Sequence, residues 1–569
     1  MAYKKSGPVL STLYQSFHFN MSRLSSYLIM ILVVFLACTP QPKTIIAPWV
    51  PYDESEELMA NEDHEVSRMR YKLIQSKISD KNDIWATIQP QISDFGEEDY
   101  QRLHPLIFEQ DISVIQNNIG EGKLTYALLT KWFLYRIAKY ENDSNQTLHT
   151  IISINPNAVA EAKAKDQDKQ GLHPLYGMPI LLKDNIGTEG MPTTAGAAVL
   201  AENRTRDAFI VERVKAKGGI ILGKVNLSEW AYYFCAGCPV GYSAIGGQTL
   251  NPYGRMQFET GGSSSGSGTS MAASYAVAAV GTETSGSILS PSSANSIVGL
   301  KPTIGLLSRG GIVPISSTLD TPGPMTRSVA DNAILLSAMT GMDSADPMSV
   351  AGPAQEAYLQ AIETADMKGM RFGVNAQFKE DSLYALAIER IEELGAEVIT
   401  FEPESVNFSG FRTFLNADMK VDLPAYLETH ASENIKVRSV ADVVAYNLED
   451  TLIRSPYGQG LFDGIVAEDI TAEAFDSLKM RFKAEAVRFF EVPMTEHNLD
   501  GILSINNWNA GHAAMAQYPC LTVPMGYLET GQPRSLTFIA RPFEEAKLLK
   551  MGYAFEQATR HRQFPVNYP

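Results

Sequence analysis

From residue 151 onward, short apolar runs alternate with segments of helical spacing. Residues 151–154, 179–182, 220–222, 372–374, 398–401, 502–505, 521–523 and 536–539 read as buried strands. Among the helices between them, residues 383–394 put Leu383, Leu386, Ala387, Ile391 and Leu394 on one face. A last helix over 544–559 opens with two acids that suit its positive N-terminal end. Upstream, Leu124, Leu128, Leu129, Phe133 and Ile137 have the spacing of an amphipathic helix. Residues 44–110 are polar and acidic, with helical spacing at 66–78, and read as an N-terminal helical extension. Residues 402–500 mix helix and loop signals. Strand and helix in alternation predict an α/β sandwich around a mainly buried sheet.

One segment breaks this rhythm. Residues 261–287 read GGSSSGSGTSMAASYAVAAVGTETSGS, two serine-bearing, glycine-rich ends around a run of very small residues. A flexible linker would be Gly/Ser-rich throughout. Here the apolar stretch 272–280 is Ala-dominated, so a single packed helix is expected to hold the two serine turns at a fixed distance.

Composition is that of an ordinary globular protein: 569 residues, 45% hydrophobic and 20% charged. No linker-like segment divides the chain after residue 151, so one large catalytic domain over 111–569 is expected, preceded by a linker and helical extension over 38–110. With 47 basic against 64 acidic residues the net charge is −17, which argues against nucleic-acid binding. Residues 1–37 read as a signal segment, with Met21 a candidate start. An uncharged apolar run at 27–37 follows Arg23, is too short to span a bilayer comfortably and ends at Cys38. That arrangement resembles a bacterial lipoprotein signal, with Cys38 as the lipidated residue. It predicts export to the cell envelope and membrane contact only through a lipid anchor. Cys235 and Cys238 have C-x-x-C spacing, with no second ligand pair to complete a metal site. A local disulfide or two inert thiols is the favoured reading. No metal or other cofactor is expected.

Amide or ester cleavage needs a nucleophile, a base and donors for an oxyanion. Ser287 follows Thr284-Ser285-Gly286, a turn whose successive N–H groups are expected to point at one oxygen. No histidine lies near it in the sequence. Lys183 ends the apolar run 178–182, so a strand would carry its amine from the core to the end of the sheet. Desolvation there disfavours the charged form, and a neutral amine accepts a proton.

At these residues the chain resembles the amidase signature family. The resemblance lies in Gly261-Gly262-Ser263-Ser264, in Gly281-Thr-Glu-Thr-Ser-Gly-Ser-Ile288 and in Met178-Pro-Ile-Leu-Leu-Lys-Asp-Asn185. It extends through Gly223-Lys-Val-Asn-Leu-Ser-Glu-Trp230, Val298-Gly-Leu-Lys-Pro-Thr303 and Asp320-Thr-Pro-Gly-Pro-Met-Thr-Arg327. The resemblance implies the family's α/β/α sandwich around a large mixed sheet. It implies Ser287 as nucleophile, Lys183 as base, and Ser263, after a cis peptide bond, as the relay between them. Thr284, Ser285 and Gly286 then form the oxyanion hole, with Gly262, Ser264 and Asp184 as supporting positions. Glu283 and Ser265 replace a common aspartate and a common glycine, as in the peptide-amidase branch, which removes C-terminal amides from peptides. Ser285 departs from the acid expected of that branch.

The expected activity is therefore hydrolysis of peptide C-terminal or similar primary amides, with release of ammonia. Three other readings exist. Gly262-Ser-Ser-Ser-Gly266 also satisfies G-x-S-x-G, which would make Ser264 a nucleophile with a base such as His512, but that motif needs a strand immediately before it. A glutaminase subunit of a tRNA-dependent amidotransferase fits the motifs, but not the export signal. A lipoprotein that binds amides without cutting them would not need Lys183, Ser263 and Ser287 together. His173 and His512 are expected to be structural.

Overall fold

The computed structural model describes residues 42–168 and 173–569. Cys38 and the apolar run before it lie outside the described residues. Among the described residues thirteen strands are formed: β1 (Ile151–Ile154), β2 (Pro179–Lys183), β3 (Ile220–Val225), β4 (Tyr242–Ser243), β5 (Gly247–Gln248), β6 (Ala278–Glu283), β7 (Val298–Lys301), β8 (Thr321–Thr326), β9 (Arg371–Asn375), β10 (Glu397–Phe401), β11 (Gly501–Ile505), β12 (Cys520–Tyr527) and β13 (Pro533–Ile539). Eleven of them make one mixed sheet in the order β1-β3-β2-β6-β8-β7-β12-β13-β11-β9-β10. β4 and β5 form a separate small pair. The sheet is parallel at β3-β2-β6 and at β11-β9-β10, and antiparallel between. Helices sandwich it, giving the expected α/β/α architecture. All eight apolar runs read from the sequence are strands.

The centre of the sheet is built from small and wholly apolar residues. β2 is buried along its whole length and pairs Ile180, Leu181 and Leu182 with Ala278, Ala279 and Val280 of β6. The stretch 272–280 is therefore not one helix. A helix over Ser265–Ala272 ends there, a tight turn follows, and the alanines at 278–279 start β6. Both neighbours of this strand come close, and small side chains make the approach possible. A Cβ on Gly281 would sit 2.6 Å from Met325 Sδ and 2.9 Å from Ser264 Oγ.

Residues 66–78 are not helical either. Apart from a single turn over Ser67–Met69 they run as an irregular strap, and the Ile74 carbonyl accepts the Gln248 N–H at 2.7 Å. The extension is no linker. Trp49, Ile74, Trp85, Phe95 and Leu103 are buried in the same apolar cluster as β2 and β6. On the helix Ser382–Glu393, Ala387 and Ile391 are buried but Leu386 faces solvent. The regular structure of the ambiguous region 402–500 is all helical, joined by loops. Its helices over Phe411–Thr429, Gly460–Ala467 and Ala472–Glu496 bury Phe414, Phe462 and Phe482 in a second apolar cluster with Trp230, Leu289 and Leu319.

Candidate active site

β2 delivers Lys183 to the end of the sheet, where its amine is fully buried. Lys183 Nζ lies 2.7 Å from Ser263 Oγ, 2.8 Å from Thr282 Oγ1 and 3.1 Å from the Thr282 carbonyl oxygen. Thr282 sits on β6, one strand over, and its hydroxyl also accepts from Asn185 Nδ2 at 3.0 Å. Burial pushes the Lys183 amine down to about 7, although Asp320 and Glu283 nearby pull the other way.

Ser263 follows a cis peptide bond to Gly262. Its carbonyl accepts the Ser228 N–H at 3.0 Å, tying this loop to the turn after β3. Gly262 is required by close packing, since a Cβ there would meet Val240 Cγ1 at 2.6 Å and Ser228 Oγ at 2.7 Å. Ser264 is wholly internal. Its hydroxyl donates to the Thr282 carbonyl at 3.0 Å and accepts the Thr282 N–H at 3.2 Å, clamping this loop onto β6. No strand precedes Gly262 in residues 251–261, so the nucleophile-elbow reading of Ser264 lacks its required setting. His512 is wedged against Phe489 and Phe408 at ring distances of 4.2 and 5.0 Å, and burial lowers it to about 4. His173 packs beside Ser337.

Ser287 stands on the turn after β6, and its carbonyl accepts the Ser264 N–H at 3.1 Å, so the two serine loops touch. Glu283 shapes this turn. One carboxylate oxygen accepts the Gly286 N–H at 2.7 Å; the other accepts those of Ile288 at 2.7 Å and Leu289 at 3.0 Å. Gly286 adopts φ 89°, in the left-handed region that glycine enters freely. Of the three expected oxyanion donors, the Gly286 N–H is taken by Glu283. Among the described residues, the N–H groups of Thr284, Ser285 and Ser287 remain without a partner on the turn that carries Ser287. The Thr284 hydroxyl is fixed by Asp320, whose other oxygen accepts the N–H groups of Ile315 at 2.8 Å and Ser316 at 2.9 Å.

Asp184 does not face the serines. Its carboxylate is 3.0 Å from Lys224 Nζ in a wholly buried pair between β2 and β3, and it is also held by Thr194. Burial raises the Asp184 carboxyl and lowers the Lys224 amine. Cys235 and Cys238 form the local disulfide, on the loop that leads to Val240. Sequence reasoning did not single out Thr282, Asn185 or Asp320. Thr282 and Asn185 lie inside the recognised motifs, and Asp320 opens another, so the signal was present without a role attached.

The amidase family model matches residues 129–451. A probable amidase of Arabidopsis thaliana is 37% identical over 481 residues, covering 81% of this chain and 92% of that protein. A glutamyl-tRNA(Gln) amidotransferase subunit from Levilactobacillus brevis is 30% identical over 516 residues, covering 81% and 98%. Among solved structures, an amidase family protein from Bacillus anthracis superposes with a TM-score of 0.80 at 33% identity, covering 86% of this chain and 99% of that one. Native peptide amidase from Stenotrophomonas maltophilia does so with a TM-score of 0.75 at 36% identity, covering 80% and 98%. Sequence, fold and the arrangement at the end of β2 agree, and the chain belongs to the amidase signature family of hydrolases acting on amide bonds.

Proposed function

We propose that this amidase hydrolyses primary amides at peptide C-termini, or amides of similar shape, through an acyl-enzyme on Ser287. The observation that carries the reading is the hydrogen-bond economy of Lys183. A neutral amine has two N–H donors and one lone pair. The Thr282 carbonyl can only accept, and the Thr282 hydroxyl at 2.8 Å takes the second donor. The lone pair is then left for the Ser263 hydroxyl at 2.7 Å. An amine lowered to about 7 reaches this state at neutral pH.

The steps follow from that geometry. Lys183 Nζ takes the Ser263 proton while Ser263 Oγ takes that of Ser287, and Ser287 Oγ attacks the amide carbon. The carbonyl oxygen becomes an oxyanion facing the N–H groups of Thr284, Ser285 and Ser287. The proton returns through Ser263 to the amide nitrogen, the C–N bond breaks, and ammonia leaves. Water retraces the path and frees the acid, restoring both hydroxyls.

The 36% identity to the Stenotrophomonas maltophilia peptide amidase supports the peptide-amide assignment. The amidotransferase relative makes glutamine the informative competitor. Release of ammonia is to be measured from a peptide amide, a fatty amide, an aryl amide and free glutamine. Peptide amides are expected to be turned over fastest. Turnover of glutamine or fatty amides with none on peptide amides overturns the substrate assignment.

The same reading places the chain outside the cytoplasm, anchored through a lipid on Cys38. The Cys235–Cys238 disulfide supports an oxidising compartment. Membrane-fraction enzyme that becomes soluble on Cys38→Ala substitution is the expected result. Enzyme that fractionates as soluble in both forms overturns it.

A further inference from the structure

Between residues 317–319 and the helix Ala472–Glu496 lies a cavity of about 470 Å³, within the range of small-molecule sites. Its body is apolar, with Leu319, Phe414, Met348 and Met515 on its walls. Methionines are adaptable and tolerate varied shapes. Its polar edge is cationic, formed by Arg309, Lys479 and Lys483. On a chain of net charge −17 that convergence of cations is against the prevailing sign.

The three cations are not equally committed. Arg309 pairs with Asp346, and Lys479 is 3.0 Å from Asp476 on the same helix. Lys483 donates to Gln517 Oε1 at 2.9 Å and, among the described residues, has no carboxylate within ion-pair distance. Its charge is available to a ligand.

The walls of the cavity adjoin the site. Arg309 also lines the chamber that holds Thr282, Thr284 and Asn185. Leu319 immediately precedes Asp320, which fixes Thr284. Met515 belongs to the helix Ala510–Ala516, whose first residue stands 3.4 Å from where a Cβ on Gly286 would be.

A second cavity of about 440 Å³ on the far side of Arg309 is lined by carboxylates, and all of these but Glu212 are already used. Asp346 holds Arg309, Asp207 holds Lys215, Asp343 holds Ser308, and Asp320 and Asp422 hold the backbone of 315–317. These five clamp the fold, whereas Lys483 has no carboxylate partner among the described residues.

We propose that the cavity bounded by Arg309, Lys479 and Lys483 is the acyl-side subsite of the enzyme. It selects amides whose acyl portion has an apolar body ending in a negative charge, such as acidic peptide amides. The proposal rests on the peptide-amide reading above and goes beyond it in naming the charge of the substrate.

The test uses the full chain and three N-acetylated tripeptide amides that differ only in a first residue of Glu, Gln or Lys. Ammonia release gives kcat and KM for each. KM for the Glu peptide is expected to be about 3- to 10-fold below that for the Gln peptide, with the Lys peptide weakest. Lys483→Glu reverses the Glu/Lys order, and Lys479→Gln with Lys483→Gln brings the Glu/Gln ratio close to one. Lys123→Gln, in the exposed loop between the helices Ile112–Gly120 and Tyr126–Glu141, leaves that ratio as it was. High salt flattens the preference. Equal KM values for the three peptides overturn the subsite, as does a preference for the Lys peptide, which would assign the acyl group to the carboxylate-lined cavity. Release from none of the three overturns the peptide-amide reading itself, and the subsite with it.

Discussion

Thr282 takes hold of Lys183 twice, through its hydroxyl at 2.8 Å and its carbonyl at 3.1 Å. The carbonyl can only accept, so it orients the amine whatever its charge. The hydroxyl also receives Asn185 Nδ2, which fixes its own lone pairs. The amine is thereby aimed at Ser263 by two residues from the neighbouring strand and turn.

The first prediction is the pH dependence of activity. Only the neutral amine accepts the Ser263 proton, and burial puts its midpoint at about 7. Asp320 and Glu283 are the charged groups that hold it from falling further. kcat/KM on a neutral peptide amide should rise through about pH 7 and flatten above it. Thr282→Val removes one acceptor of the ammonium, which lowers the midpoint while reducing kcat. A rate profile that is flat from pH 5 to 9 contradicts Lys183 as the base.

Lys183 also sets a stability prediction of known sign. Its folded value of about 7 lies below the ordinary 10.5, so between those pH values the unfolded chain binds the extra proton. Stability therefore rises with pH across that window, and the group costs on the order of 4 kcal/mol at pH 7 and below. Lys183→Met should abolish activity and raise the melting temperature at pH 6, with the gain shrinking toward pH 10. Thermal melts of both proteins over that range check it.

Glu283 is predicted to act on kcat. Its carboxylate takes N–H groups on both sides of Ser287, at Gly286, Ile288 and Leu289, and so braces the turn that carries the N–H groups of Thr284, Ser285 and Ser287. Glu283→Gln leaves one acceptor oxygen and introduces an NH₂ where an N–H already points. A loss of one oxyanion donor is worth about 2.7–4 kcal/mol, so kcat should fall about 100-fold or more with KM changed little. Steady-state kinetics on one peptide amide decide it, and a change confined to KM would place Glu283 in binding instead.

The sequence was most informative where burial is continuous. β2 and β3 are buried at every position and β12 at all but its last, and each stands where the pattern put it. β6 was misread because alanine favours a helix, and only its pairing with β2 and β8 makes it a strand. β8, Thr-Pro-Gly-Pro-Met-Thr, looks like a loop. Its prolines survive because Pro322 and Pro324 face Thr282 and Val280 at alternate positions of an antiparallel ladder. At the site, motif and spacing pointed to Lys183 and Ser263, which the structure sets 2.7 Å apart. Which N–H groups stay free depends on the reach of the Glu283 side chain, and no spacing records that.

The buried pair between β2 and β3 supplies the last prediction. Asp184 and Lys224 are both fully excluded from water and 3.0 Å apart, with Thr194 completing the carboxylate's shell. Burial works against each charge: it raises the acid and lowers the amine. Their attraction offsets that only while both are present. Removing one partner strands the other, at a cost of about 3–5 kcal/mol. Lys224→Met should therefore destabilise the protein strongly, and Asp184→Asn nearly as much. The double variant Asp184→Asn with Lys224→Met should recover part of the loss, because no unpaired charge is left inside. Urea unfolding of the four proteins measures the coupling. Single-variant losses that simply add in the double variant would show that the two side chains act separately, as packing rather than as a pair.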